Sequence, residues 1–438
     1  MLSAFARAFK TPDLRRKLLF TMAIMALFRL GSFVPTPGVS YTNVQDCLDG
    51  LNTTNDLLGM VNLFSGGALL QLSVFALGIM PYITASIIVQ LLRVVIPRFE
   101  ALHKEGQTGT AKLTQYTRYL TIALAVLQST TYVAVARSGN LFTAAGSGAP
   151  PACQNVIPND SLITILLMVA TMTAGTGLIM WMGELITERG IGNGMSLLIF
   201  TSISATFPTS IWAIGESRGF DVMALVIGVG LVIVALVVFV EQSQRRVPVQ
   251  YAKRMVGRRM YGGTSTYIPI KVNMAGVIPV IFASSLLYLP ALVAQFNDPS
   301  AGWVQWVSEV FTSGDHPAYI ITYFLLIVFF TYFYVAITFN PDEVADNIKR
   351  VGGFVPGIRA GRPTAEYLDY ILTRITLAGS LYLGLVALIP LIALVLVGAN
   401  QNFPFGGTSI LIVVGVGLET VKQIESQLQQ RHYEGFLR

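Results

Sequence analysis

Apolar residues in this chain fall into long unbroken runs, with polar residues gathered between them, rather than alternating with period two or forming short one-sided stripes. A bilayer core of about 30 Å takes roughly 20 helical residues to cross. Runs of that order, punctuated by Gly, Pro and charge, predict ten spans near 18–34, 74–96, 117–137, 161–183, 191–212, 222–242, 273–293, 317–339, 371–396 and 406–424. Backbone groups in lipid must bond internally, so the spans are expected to be helices. Residues 1–17 are polar and basic and run into the first span with no small-residue cleavage motif, so no cleavable leader is expected there.

The segments between runs assign the sides. Loops rich in Lys and Arg are retained in the cytoplasm. Taking alternate segments, 26 of the 29 Lys and Arg fall on one face, and only Arg29, Arg137 and Arg218 fall on the other. With the acids included the two faces carry +12 and −6. Both termini are therefore expected in the cytoplasm of a multi-pass protein of the cytoplasmic membrane. Hydrophobic residues at 53%, charged residues at 12% and a mean hydropathy of +0.63 agree with a membrane chain and not with a soluble one.

One stretch breaks the alternation. Residues 57–96 hold enough apolar sequence for two crossings, yet the acidic segment before them (Asp46, Asp49, Asp56) is outside and the basic segment after them is inside. Only an odd number of crossings fits. The stretch is expected to hold one full span plus a segment that enters without crossing, with breaks at Gly66, Gly67, Gly78 and Pro81. Non-helical backbone at membrane depth survives only inside protein or beside a wet cavity. Asn62, Leu63, Phe64, Ser65, Gly66 and Gly67 are thus expected in a cavity open to the outside.

Five spans precede the connection at 213–221 and five follow it, so the second half is inserted upside down relative to the first. The expected fold class is an all-α polytopic membrane protein with ten transmembrane helices in two inverted five-helix halves, residues 1–215 and 216–438, around a central pathway. That symmetry rests on span counting, since the halves show no convincing internal repeat.

The sequence holds no phosphate-binding Walker loop, no His-Glu-x-x-His, no Gly-x-Ser-x-Gly and no Cys-x-x-Cys, and His103, His316 and His432 lie in loops or the tail. Neither an enzyme nor a cofactor is expected. Ionisable residues are nearly absent from span interiors, because Arg29, Glu184, Glu241 and Glu419 sit toward span ends. A mid-membrane charge costs about 2.5–3.5 kcal/mol on insertion scales, and ion-coupled carriers keep one only where it does the coupling. Two rivals, a secondary transporter of small solutes and a membrane-embedded hydrolase, need buried ionisable groups or a nucleophile that the spans do not supply. Trp181, Trp212, Trp303 and Trp306 fit an interfacial aromatic belt. Cys47 and Cys153 both fall on the outer face, which suits either a disulfide or two free thiols.

Two inner loops exceed what topology needs. Residues 241–271 carry seven Lys and Arg interleaved with Tyr251, Tyr261 and Tyr267, and residues 340–374 set Lys349, Arg350, Arg359 and Arg362 among Gly and Pro. Headgroup contact, worth about 1 kcal/mol per basic residue, accounts for such charge. So does docking of a polyanionic partner, since Arg with Tyr suits phosphate and base stacking.

Five stretches, Phe75-Ala-Leu-Gly-Ile-Met-Pro-Tyr-Ile83, Thr187-Glu-Arg-Gly-Ile-Gly-Asn-Gly194, Lys271-Val-Asn-Met-Ala-Gly-Val-Ile-Pro279, Phe354-Val-Pro-Gly-Ile-Arg359 and Phe405-Gly-Gly-Thr-Ser409, resemble in order the signatures of the bacterial SecY family, the central subunit of the Sec protein-translocation channel. The resemblance implies an hourglass pore between the halves, a lateral gate to lipid between spans 2 and 7, and a plug helix at about 57–72 that is the non-crossing segment. It implies a pore ring at Ile79, Ile83, Ile199, Ile281 and Ile412, which residue-level reading alone takes for span packing. Gln90 and Asn273 match polar gate positions; unaided they read as interhelical hydrogen bonds worth about 0.6–2 kcal/mol. Arg258, Arg259 and Arg359 fall where the family's loops dock the SecA ATPase and the ribosome with its rRNA. Further partners implied are SecE and SecG-type small membrane subunits, signal sequences and unfolded polypeptide substrates, besides the lipid bilayer.

Overall fold

A computed structural model describes residues 9–44, 67–69, 71–137, 156–159, 161–251, 254–256, 259–261, 265–295, 301–311, 316–397 and 407–434. In chain order the helices are α1 (Pro12–Gly31), α2 (Met80–Val95), α3 (Pro97–Lys104), α4 (Gln107–Arg137), α5 (Leu162–Arg189), α6 (Gly194–Arg218) and α7 (Phe220–Gln242). Strands β1 (Gln244–Tyr251), β2 (Arg254–Val256), β3 (Arg259–Tyr261) and β4 (Ser265–Lys271) follow. Then come α8 (Ile278–Gln295), α9 (Gly302–Phe311), α10 (Pro317–Thr338), α11 (Pro341–Arg350), β5 (Gly353–Phe354), α12 (Arg362–Val397) and α13 (Gly407–Glu434).

The starts of the helices are written in local chemistry. Proline in the first turn, where no backbone donor is needed, opens α1, α2, α3, α10 and α11. Side chains of Ser161, Asn193 and Asn340 accept from backbone amides at the heads of α5, α6 and α11. Inside the helices, hydroxyls such as those of Thr121, Thr173, Ser202 and Thr331 donate to the carbonyl four residues back, which satisfies them where no water reaches.

Among the described residues, six helices are long and apolar enough to cross a membrane, or seven if the pair α2–α3, bent by 98°, counts as one span. The chain is thus a multi-pass membrane protein. Each of the ten expected spans coincides with a helix, but α1, α2, α8 and α13 fall short of that test. α2 has only 16 residues, and α8 starts at Ile278 rather than at 273. Other helices overrun their apolar runs: α4 begins at Gln107 rather than near 117, α12 at Arg362 rather than near 371, and α13 continues to Glu434. Hydropathy locates the hydrocarbon segment, whereas the helix continues wherever its own backbone bonds persist.

The basic segments gather at one face. Leu14 and Leu18 of α1, Ile191 after α5, and Ile424 of α13 form one buried cluster. Glu343 of α11 lies near enough to Lys104 of α3 to act on it electrostatically. The sequence read 241–271 and 340–374 as loops; the structure replaces them with a sheet of order β4-β1-β5, in which β5 of the second segment pairs with β1 of the first. Val247, Val249 and Ile270 point inward from this sheet onto Val335, Val355, Leu368 and Ile371.

The stretch before α2 is non-helical and buried. Thr36 donates from N and from Oγ1 to Leu72 O at 3.0 and 2.7 Å, and Val74 N donates to Val34 O at 2.9 Å. Residues 68 and 69 and 72 to 79 are mostly inaccessible. Gly175 of α5 meets this backbone so closely that an added Cβ would lie 2.1 Å from Val74 O. Of the expected plug, Asn62, Leu63, Phe64, Ser65 and Gly66 lie outside the described residues, as do Cys47 and Cys153, while Gly67 adopts φ +90°.

Candidate functional site

The starts of α2 and α8 and the second turns of α6 and α13 meet in one hydrophobic cluster. Ile79 precedes the first turn of α2 and Ile83 follows one turn later, which puts both on one face. Ile199 sits in the second turn of α6, Ile281 in the first of α8 and Ile412 in the second of α13. Ile79, Ile199, Ile281 and Ile412, each 1–6% exposed, belong to one hydrophobic cluster, and half-buried Ile83 packs against it. Four helices far apart in sequence thus bring all five isoleucines together. Phe28 of α1 and Phe75, stacked with centroids 5.8 Å apart, belong to the same cluster.

α2 and α8 touch along a short seam. The two polar residues expected there do not bond each other among the described residues. Gln90 Nε2 donates within α2 to Ser86 Oγ at 3.4 Å. Asn273 is 4% exposed and lies in irregular backbone between β4 and α8, with Nδ2 donating to Glu241 Oε1 at 2.6 Å and to Gly276 O at 3.2 Å. The interhelical bond expected of Gln90 is therefore an intrahelical one, and that of Asn273 runs to the end of α7.

Of the three arginines expected to dock partners, Arg359 is exposed in the turn between β5 and α12, where its carbonyl accepts from Thr364 Oγ1 at 2.8 Å. Arg259 contributes backbone to the β2–β3 hairpin, and Arg258 lies outside the described residues. The outer face of the larger sheet carries Arg246 over the Tyr267 ring at 4.8 Å. On α3 the exposed Lys104–Glu100 pair closes at 2.7 Å, and the hydrogen bond from Lys104 holds the Glu100 carboxyl below its usual range.

Sequence reading passed over two charged contacts. Arg118 of α4 grips Glu184 of α5 in a fork, Nε to Oε1 and Nη2 to Oε2, both 2.8 Å, while Nη1 donates to Gln115 at 3.1 Å. Glu241 is the other. The signal for both was the acid itself, standing where an apolar run ends. Among the described residues no group of three or more His, Cys, Asp or Glu is placed to hold a metal ion.

A family model described as SecY matches residues 73–421. Protein translocase subunit SecY of Streptomyces scabiei is 68% identical over 442 residues, covering 100% of both chains. The proteins of the same description from Micrococcus luteus and Mycobacterium tuberculosis are 59% and 58% identical, again over 100% of both chains. Among solved structures, one titled "The structure of a protein conducting channel" superposes with TM-score 0.61 at 19% identity, covering 94% of this chain and 91% of that one, a likeness of fold. Another, with the same TM-score and coverage at 17% identity, is titled for the plug domain of the SecY protein and the closed state of the translocation channel. With the family model spanning most of the chain and full-length relatives at this identity, the chain belongs to the SecY family.

Proposed function

We propose that this chain is the pore-forming subunit of a protein translocase in the cytoplasmic membrane, with both termini cytoplasmic. It passes unfolded polypeptides between its halves, residues 1–215 and 216–438, and releases apolar segments sideways into lipid between α2 and α8. The observation that carries the reading is the convergence of Ile79, Ile83, Ile199, Ile281 and Ile412 from four helices. Branched apolar side chains at a constriction exclude ions by dewetting, yet give a passing chain no strong bond to break. Residues 57–72 close the outer funnel as a plug, which suits the buried non-helical approach to α2.

Gln90 and Asn273 tune the gate through hydrogen bonds of about 0.6–2 kcal/mol that orient α2 and the foot of α8, and a signal sequence opens it by partitioning into lipid between the two helices. SecE and SecG-type subunits brace the halves. Arg258, Arg259 and Arg359 engage the SecA ATPase or ribosomal RNA from the basic face.

Reconstitution tests the reading. The chain, co-purified with its small membrane subunits into liposomes, is expected to take up a secretory precursor in a manner that needs SecA and ATP. Uptake of small solutes with no precursor transport would contradict it.

A further inference from the structure

The foot of α8 is tied to α7 at several consecutive points. The β1–β4 ladder begins with Gln244 opposite Lys271, and next to it Val272 N donates to Ser243 O at 3.1 Å. One residue further, Asn273 Nδ2 reaches Glu241 Oε1 at 2.6 Å. From the other side Gly379 of α12 approaches so closely that a Cβ there would lie 2.4 Å from Val272 O. Everything up to Asn273 is therefore fixed to α7 and α12.

Beyond Asn273 the backbone bonds to α7 end, although Met274 and Ala275 still pack on the cluster beneath the sheet. Residues 272–277 are not helical, and Gly276 adopts φ +61° with open space around the position of a Cβ. A residue of that kind at the end of an element is where a hinge absorbs a dihedral change. Asn273 spans the junction, since one Nδ2 hydrogen goes to Glu241 and the other to Gly276 O. Among the described residues its buried Oδ1 accepts no bond, so the amide is oriented by its donors, and the side chain that receives one is that of Glu241.

We infer that Glu241 is a positioning residue for the gate: it pins Asn273 so that the foot of α8 stays mounted on α7, and α8 opens by turning about Gly276 with the Asn273–Glu241 bond intact. The inference rests on the proposed gate between α2 and α8. It differs from an opening in which the Asn273 bond is itself the latch. The seam between α2 and α8 is short, while α8 packs extensively on α10, so the grip on its foot is one of the contacts that hold α8 closed, and a loosened foot favours the open gate.

The test uses the full channel with its partner subunits in membrane vesicles, reading export of a precursor with a weakened signal sequence relative to one with an intact signal. Glu241→Ala is expected to raise that ratio about fivefold, as loss of a hydrogen bond to a charged group allows. Glu241→Gln keeps an acceptor for Asn273 and is expected to restore the parental ratio, which a merely structural carboxylate would not do. Intact-signal export reports that each variant has folded. If Asn273→Leu raises the ratio and Glu241→Ala does not, the gate stands and the inference falls; if neither does, both fall.

A second arm asks whether the foot moves. With Cys47→Ser and Cys153→Ser in place, a Ser243→Cys, Val272→Cys pair is oxidised to lock the foot to α7. Oxidised channels are expected to export intact-signal precursor as fast as reduced ones, and a block on oxidation overturns the mounted hinge.

Discussion

Gln250 of β1 pairs with Phe354 of β5, and through that pair the two basic segments become one body. The next pair, Tyr251 with Gly353, leaves no room: a Cβ on Gly353 would lie 3.0 Å from both Ile348 Cγ2 and Tyr251 Cε1. Gly353→Val is expected to push β5 off the sheet at about 1–3 kcal/mol, the usual range for overpacking. Limited proteolysis of the purified channel checks it. Cleavage should accelerate in 241–271 as well as in 340–374, and acceleration confined to the second segment would contradict a shared platform.

Arg359 stands on that platform, its backbone held by Thr364 while its side chain faces solvent. Arg359→Glu therefore leaves folding within about 0.5 kcal/mol of the parent, as surface changes usually do. SecA-driven export is expected to fall severalfold, while the amount of channel inserted in the membrane stays unchanged. Raising salt should narrow the difference, because exposed charges are screened over about 8 Å at physiological ionic strength. Normal export by the variant would remove Arg359 from the docking surface.

Much of this architecture was legible in the chain. Apolar runs coincide with ten helices, six of which are long and apolar enough to span among the described residues, and Lys and Arg identified segments that the structure gathers at one face, because both signals depend on transfer out of water, which sums over many residues. The non-helical approach to α2 was legible only in part: breaks at Gly78 and Pro81 were expected, but residues 74–79 were read as the start of a span, and most of the expected non-crossing segment lies outside the described residues. The sheet was not legible. Gln244–Tyr251 alternates exposed and buried positions over too few residues, and its Arg245 and Arg246 drew a loop reading. Nor were the isoleucines, since an isoleucine in a span is ordinary packing and only the family resemblance singled these out. Glu241 was missed because its importance is a single contact with a residue 32 positions away.

The fork between Arg118 and Glu184 joins α4 to α5 with side chains 39% and 19% exposed. That exposure places it between a surface pair, worth about 0–1 kcal/mol, and a buried one whose single removal costs about 3–5 kcal/mol. Arg118→Leu is expected to destabilise the channel by about 1–2 kcal/mol, since Glu184 keeps its charge and loses its fork. Arg118→Leu with Glu184→Leu should recover part of that loss, as an apolar pair at this contact leaves no charge unpaired. Thermal unfolding in detergent checks both, and a double variant less stable than the single one would assign the fork a net stabilising role that the argument denies.

The isoleucine cluster allows packing to be separated from sealing. Ile186 of α5 is as buried as Ile412 and belongs to the same cluster, but it is not among the five proposed to line the constriction. Replacing either by serine removes similar buried apolar area and costs about 2–4 kcal/mol. Sealing depends on something else. A hydroxyl facing the constriction stabilises water there, and a wetted constriction conducts ions. Ile412→Ser is therefore expected to raise passive ion flux through proteoliposomes at least about tenfold by wetting a dewetted gate. Ile186→Ser should lower the unfolding temperature comparably without raising the flux. Equal leaks from both would mean that any loosening of the cluster opens the path, and the five isoleucines would then be core and not a ring.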